Sequence, residues 1–348
     1  MDATLLVQML LGALLGLSVY LPLACGQLSL ATPGFYAIGG TLAALLSTRV
    51  PALAGGGGRG GGTVYPLTSL LLEMVLAALL CAVVAEGLGR LVLRLQGIYL
   101  TIATIALVEI LRVVSLNLEI TGGAVGIFAI PQPFADPAGY ALFCLALLAL
   151  VGWLCQRLAV TRPGLAMAAI RDDAIAAASS GIAVERWKRL AFVLSAVVAG
   201  VSGVVAAHFL NAWNPRLGNF DASITTLAFV VFGGSRTWMG PVVGGLALTA
   251  LPELLRPVGD LRLIVFGLVI LLGPSLFPQG LITPELLASV ASRLPQPLRR
   301  RLGMDGRASL GRATASASAT ADLGGGSSAA DPPLAASTKP EQATEVER

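Results

Sequence analysis

Nine apolar runs fill the first 280 residues of this 348-residue chain: roughly 4–24, 26–48, 68–88, 97–116, 138–158, 190–210, 222–235, 239–255 and 261–278. A helix needs about 20 apolar residues to cross about 30 Å of hydrocarbon, and most of these runs reach that length. A water-soluble domain of the same sequence would consist of helices hydrophobic on every side, which a solvated surface does not tolerate. Composition agrees, with 55% hydrophobic and 12% charged residues against about 25% charged in ordinary soluble domains. The expected fold is therefore all-α, a polytopic transmembrane helix bundle of about eight to ten segments. The first run lacks a basic leading stretch and is followed at once by more apolar sequence, so it reads as a retained span rather than a signal peptide.

Charge is concentrated in one long loop. Arg157, Arg162, Arg171, Arg186, Lys188 and Arg189 lie between the fifth and sixth runs, and the bias of basic residues toward the cytoplasm places that loop inside. Counting spans from it puts Arg90 and Arg94 inside, the Lys- and Arg-free stretch 117–137 outside, the N-terminus outside and the arginine-bearing C-terminus inside. Arg49, Arg59, Arg216, Arg256 and Arg262 run against this scheme, but singly. Within the loop, residues 165–180 read as one short helix, with Pro163 near its start and Gly181 where a left-handed cap would end it. Arg171, Asp172 and Asp173 keep it at the aqueous face.

Other signals mark breaks. Pro22 and Pro33 bracket the polar Gly26-Gln27-Leu28-Ser29, and the 222–235 run is too short to cross unaided. Backbone freed from helical bonding at membrane depth survives only against protein or a water-filled cavity, so such breaks point to a solute path. A simple surface hairpin at Gly26 is the competing reading. Gly12 with Gly16, Ser195 with Ala199 and Gly203, and Gly240 with Gly244 place small residues at helical spacing, as close helix packing requires. The glycine-rich 55–62 stretch is expected to be a flexible external loop. Residues 1–280 form the expected transmembrane body, and 281–348 an extension that is mostly disordered from about 303.

Catalytic signatures are missing. There is no phosphate-binding Gly-x-x-x-x-Gly-Lys-Ser/Thr loop and no His-Glu-x-x-His, and His208 stands alone. Cys25, Cys81, Cys144 and Cys155 form no metal-ligand spacing and read as packing residues. Basic residues in so apolar a chain set topology, so nucleic acid is not a partner. Ionisable residues inside the spans are Glu73, Glu86, Glu109 and Arg112. Glu86 is expected to pair with Arg90 and Glu109 with Arg112, at helical spacing. Glu73 is expected near the outer boundary, in reach of water, and His208 in an interfacial or packing role. Glu109 is the deepest and a candidate for the path.

Four blocks, in order, carry a family resemblance. They are Gly26-Gln27-Leu28-Ser29-Leu30 with Gly34 to Gly40; Leu95-Gln96-Gly97-Ile98-Tyr99 with Thr101 to Arg112 and Thr121-Gly122-Gly123; Ala169 to Asp173 through Gly181-Ile182, then Lys188 to Ser195; and Gly233-Gly234 with Trp238 to Gly244. Over residues 26–280 the chain resembles the LivM-type permease subunits of bacterial ABC importers for branched-chain amino acids. It departs at Ala31-Thr32-Pro33, where the family often has Gly-His.

The resemblance implies that the charged loop, about 161–186, is a coupling helix docking on an ATPase subunit, with Ile170, Arg171, Asp172, Asp173, Ala174, Ala177 and Gly181 as its contacts. Gln27, Ser29, Gly39, Glu109, Asn117, Thr121, Gly122 and Gly123 become candidates for the substrate path. The implied partners are a second homologous permease, two ATP-binding subunits and a periplasmic binding protein, in the lipid of a bacterial inner membrane. ATP and magnesium belong to those partner subunits, and no cofactor is implied for this chain. Related permeases handle urea or short amides. An ion-coupled secondary transporter using Glu109 is the rival from another class.

Overall fold

The computed structural model describes residues 3–50, 65–123, 125–276 and 280–281. The glycine-rich 55–62 stretch and the C-terminal extension beyond Leu281 lie outside the described residues. The chain forms helices α1 (Ala3–Leu23), α2 (Thr32–Arg49), α3 (Leu67–Val92), α4 (Ile98–Asn117), α5 (Pro137–Val160), α6 (Arg162–Asp172), α7 (Ala174–Ser179), α8 (Val184–Leu210), α9 (Phe220–Gly233), α10 (Met239–Leu254) and α11 (Arg262–Leu276). The nine apolar runs became nine helices, and α6 and α7 belong to the charged loop. Strand structure among the described residues is one short antiparallel pair, β1 (Ile127–Phe128) and β2 (Ala212–Trp213), with Ile127 opposite Trp213.

Five helices, α1, α3, α4, α5 and α8, are long and apolar enough to cross a membrane. They divide by burial. In their most apolar stretches α1 is 67% and α8 72% buried, against 33% for α3 and 22% for α4. The first two are therefore the centre of the bundle, and the outer faces of the others, such as Leu71, Val75, Leu79 and Val83 on α3, are left exposed. In a chain with this hydropathy those faces meet lipid or another membrane subunit.

Small residues set the central crossings. A side chain on Gly39 would place its Cβ 2.0 Å from the Gly200 carbonyl oxygen, so α2 and α8 touch backbone to backbone. The same contact recurs where Gly16 of α1 faces the Pro241 carbonyl of α10, and where Gly244 of α10 faces the Phe229 carbonyl of α9. This is the close packing expected of the glycine spacings.

The breaks are real and differ in detail from the sequence reading. α1 ends in a Schellman turn, with the Gln27 N–H donating to Pro22 O and the Gly26 N–H to Leu23 O, both 3.0 Å, and Gly26 taking the positive φ of 73° that this cap needs. Residues 27–31 then run without helical bonding, so α2 starts at Thr32 rather than near 26. α9 has 14 residues, which at 1.5 Å each span about 21 Å, short of the hydrocarbon thickness.

Candidate functional site

The unwound segment 27–31 is held by side chains of two other helices. Leu30 donates its N–H to Thr104 Oγ1 of α4 at 3.1 Å, and its carbonyl accepts from Ser223 Oγ of α9 at 3.2 Å. Thr101 Oγ1 donates to Leu28 O at 3.1 Å. These bonds satisfy backbone groups that would each cost several kcal/mol unpaired in a bilayer, about as expected where irregular backbone is buried in protein. The break is thus braced by side chains of α4 and α9. Thr101 and Thr104, at i,i+3 on one helix face, were the signal that could have identified the support in advance.

Two of the eight path candidates sit in this break. Ser29 is buried, its Oγ accepting from Ala31 N–H at 3.4 Å. Gln27 is 2% exposed, yet neither oxygen nor nitrogen of its carboxamide has a partner. A buried amide left this way costs about 1–3 kcal/mol. Gly39 lies in the α2–α8 crossing, where an added Cβ would meet the Gly200 carbonyl oxygen.

The remaining candidates lie elsewhere. Glu109 accepts from Arg112 at 2.7 Å with its side chain 35% exposed, the pair predicted from spacing. Asn117 turns back to its own helix, donating from Nδ2 to Val113 O at 2.8 Å. Thr121 Oγ1 donates to Leu118 O at 2.7 Å and to Ser115 O, while Gly122 and Gly123 adopt positive φ, so 117–123 is a tight turn closing α4. The structure does not gather all eight residues at one place.

The charged loop is not one helix. α6 and α7 are separated by Asp173, extended at φ −154° and ψ 109°, whose carboxylate accepts from Ile175 N–H at 2.8 Å and Ala176 N–H at 3.1 Å. An aspartate in mid-helix gains more by capping the next helix than by continuing the first. Gly181 closes α7 at φ 82°, with Ile182 N–H donating to Ala177 O, as its sequence position predicted.

The implied ATPase contacts sort by environment. Ile170 and Ala177 are buried, packing with Met167 on Cys25 at the end of α1 and Ala191 of α8. Ala174 is half-buried at the start of α7. Asp172, Asp173 and Gly181 are exposed, as is Ile175, at 80% the most exposed large apolar side chain of the loop. Sequence reasoning passed over Ile175 because it looks like an ordinary core residue. Arg171 turns inward, its Nη1 donating to Ser235 O at 3.1 Å in the turn between α9 and α10. Its Cα lies against Gly26, where an added Cβ would come within 3.1 Å. One residue of the loop thus touches the turns next to both broken segments.

Near the other end of α8 is a polar cluster that the sequence did not reveal. Glu73, expected to reach water, is fully buried, as is His208. Glu73 Oε2 lies 2.6 Å from His208 Nε2, Tyr65 Oη donates to Glu73 Oε1 at 2.6 Å, and His208 Nδ1 donates to Pro131 O at 2.7 Å. A carbonyl oxygen can only accept, so Nδ1 is the donor to Pro131, and Nε2 is left to face the Glu73 carboxyl. Burial, and next the Glu73 carboxylate, hold the Tyr65 phenol above its ordinary range. Glu86 at the opposite end pairs with Arg90, as spacing predicted, and with Arg189 of α8, which spacing did not. Among the described residues no cluster of His, Cys, Asp or Glu is arranged to hold a metal.

Comparison with known proteins gives one consistent result. A family model described as branched-chain amino acid transport system permease component matches residues 2–273. The high-affinity branched-chain amino acid transport system permease protein LivM of Escherichia coli (strain K12) is 32% identical over 307 residues, covering 80% of this chain and 68% of that protein. The corresponding LivH protein of the same organism is 35% identical over 88 residues, 25% of this chain and 28% of that protein. A probable ABC transporter permease protein, y4mJ, of Sinorhizobium fredii is 24% identical over 62% of this chain and 70% of its own length. No solved structure matches at a significant level.

Proposed function

We infer, because the chain belongs to the branched-chain amino acid transport permease family, that it is a membrane-embedded permease subunit of an ABC importer for branched-chain amino acids. It works with a second related permease, two ATP-binding subunits and a periplasmic binding protein, in the bacterial inner membrane with the α6–α7 loop and the C-terminus in the cytoplasm. This chain supplies the path and no catalysis; ATP hydrolysis is the partners' chemistry.

The observation that carries the mechanism is the position of Arg171. The loop bearing it is packed on the bundle through Met167, Ile170 and Ala177 and presents Asp172 and Ile175 to water. Those two form the docking surface for the ATPase, with Ile175 as the apolar anchor, while Asp173 shapes α7 rather than contacting the partner. When docked loops move with the closing ATPases, Arg171 draws on Ser235 and, through Gly26, on the unwound segment. The bundle then exchanges one discrete packing for another, as close-packed interfaces do. Gln27, buried and unpartnered here, gains its hydrogen bonds in the other state, to the amino acid's charged groups as they pass. Its amide offers both a donor and an acceptor, which a zwitterion needs.

The test is affinity purification of the tagged chain from its own membrane, comparing wild type with Ile175→Glu. Ile175 contributes nothing to the core, so the variant folds. Recovery of ATP-binding subunits with wild type and their loss with Ile175→Glu, together with loss of leucine uptake, is expected. A stable wild-type preparation without any ATPase partner overturns the reading.

A further inference from the structure

A cavity of about 220 Å³ opens between the end of α3 and the start of α8, lined by Gly89, Arg90, Leu93, Arg94, Glu185 and Arg189. Three guanidinium groups meet there. The nearby carboxylates do not balance them: Glu86 already serves both Arg90 and Arg189, and Glu185 lies in the first turn of α8, where a carboxylate complements the helix dipole. Arg94 has no ion pair among the described residues. Arg189 lines the cavity and its side chain stays about a third exposed.

The surroundings are apolar and exposed. Leu91 is 71% and Ile98 69% exposed, and Leu95 and Leu190 also face outward beside the cavity. An unfilled cationic hollow bordered by an exposed apolar strip, where a membrane helix ends, matches a ligand with an anionic phosphate on a hydrocarbon body. We propose that this cavity binds the phosphate of an anionic phospholipid, held by Arg94 and Arg189 with the acyl chains along Leu91 and Ile98. Arginine suits the role because its fork meets phosphate oxygens in pairs, and basic pockets between helices at this membrane level are where such headgroups bind. The lipid would bridge the turn just after α3 to the second turn of α8, the helix that leads directly out of the loop. The proposal needs the chain's place in a membrane but not its ATPase partners, so the two readings fail separately.

The experiment is native mass spectrometry of the purified full-length chain released from nanodiscs of phosphatidylglycerol or of phosphatidylcholine. Retained phosphatidylglycerol, little retained phosphatidylcholine, and about fivefold lower occupancy in Arg94→Gln are expected, since one basic residue at a membrane surface carries about that factor. Arg94 makes no ion pair, so this variant folds. Arg256→Gln, altering an exposed arginine beyond α10, is expected to retain the lipid like wild type. Equal retention of the two lipids, unchanged occupancy in Arg94→Gln, or an equal fall in Arg256→Gln overturns the proposal. Displacement of phosphatidylglycerol by millimolar inorganic phosphate assigns the cavity to a soluble anion and overturns it as well.

Discussion

Replacing His208 with leucine removes one half of a pair that has no access to water. Glu73 would keep only the Tyr65 hydroxyl as partner, and the Pro131 carbonyl would lose its donor. Breaking a buried pair by removing one member costs about 3–5 kcal/mol, because an uncompensated charge or a forced protonation remains. Glu73→Gln is the informative contrast. Its Oε1 still accepts from Tyr65, its amide N–H donates to His208 Nε2, and Nδ1–H still donates to Pro131, so the expected loss is within about 1 kcal/mol. Glu73→Leu with His208→Leu removes both polar partners and is expected to be less destabilised than the sum of the single leucine variants by at least about 2 kcal/mol. The four free, buried cysteines make the assay direct: a thiol-reactive fluorophore reports unfolding of the detergent-solubilised chain as it is heated. Equal destabilisation by His208→Leu and Glu73→Gln, or strict additivity of the leucine variants, would refute the description of this cluster as a coupled, hydrogen-bonded pair.

Gln27→Leu removes two unsatisfied buried atoms and is expected to raise stability by about 1–3 kcal/mol while sharply lowering leucine uptake; thermal unfolding read beside transport in vesicles checks both. Gly39→Val is expected to prevent the α2–α8 contact, since the added Cβ alone lies 2.0 Å from Gly200 O, and loss of a monodisperse peak in size-exclusion chromatography is the readout. Asp173→Ala deletes the cap on Ile175 and Ala176, with an expected cost of about 0.5–2 kcal/mol confined to α7. Asp173→Ser should restore most of it, as faster amide exchange across 174–179 in alanine but not in serine would show.

Spans, breaks and the loop were legible in the sequence because each depends on short-range quantities. Run length and apolarity measure the transfer free energy of a helix into lipid, so nine runs gave nine helices. Pro22 with Gly26, and Gly181, end helices through φ preferences that belong to the residues themselves. Pairs such as Glu86 with Arg90 and Glu109 with Arg112 follow from helical periodicity alone. What a side chain meets across the bundle has no such local cause. Glu73 and His208 are separated by 135 positions, and nothing near either residue distinguishes a buried acid with a partner from one that reaches water. Arg171 reads as a loop-surface charge until the α9–α10 turn is placed beneath it. Asp173 is seen to cap α7 only in the folded loop, which determines which N–H groups are left open. Hydropathy and backbone preference therefore determined which segments enter the membrane and where they break. Tertiary packing alone decided which polar groups are paired and which, such as the Gln27 amide, are buried without a protein partner, since desolvation penalties are assigned only when distant helices meet.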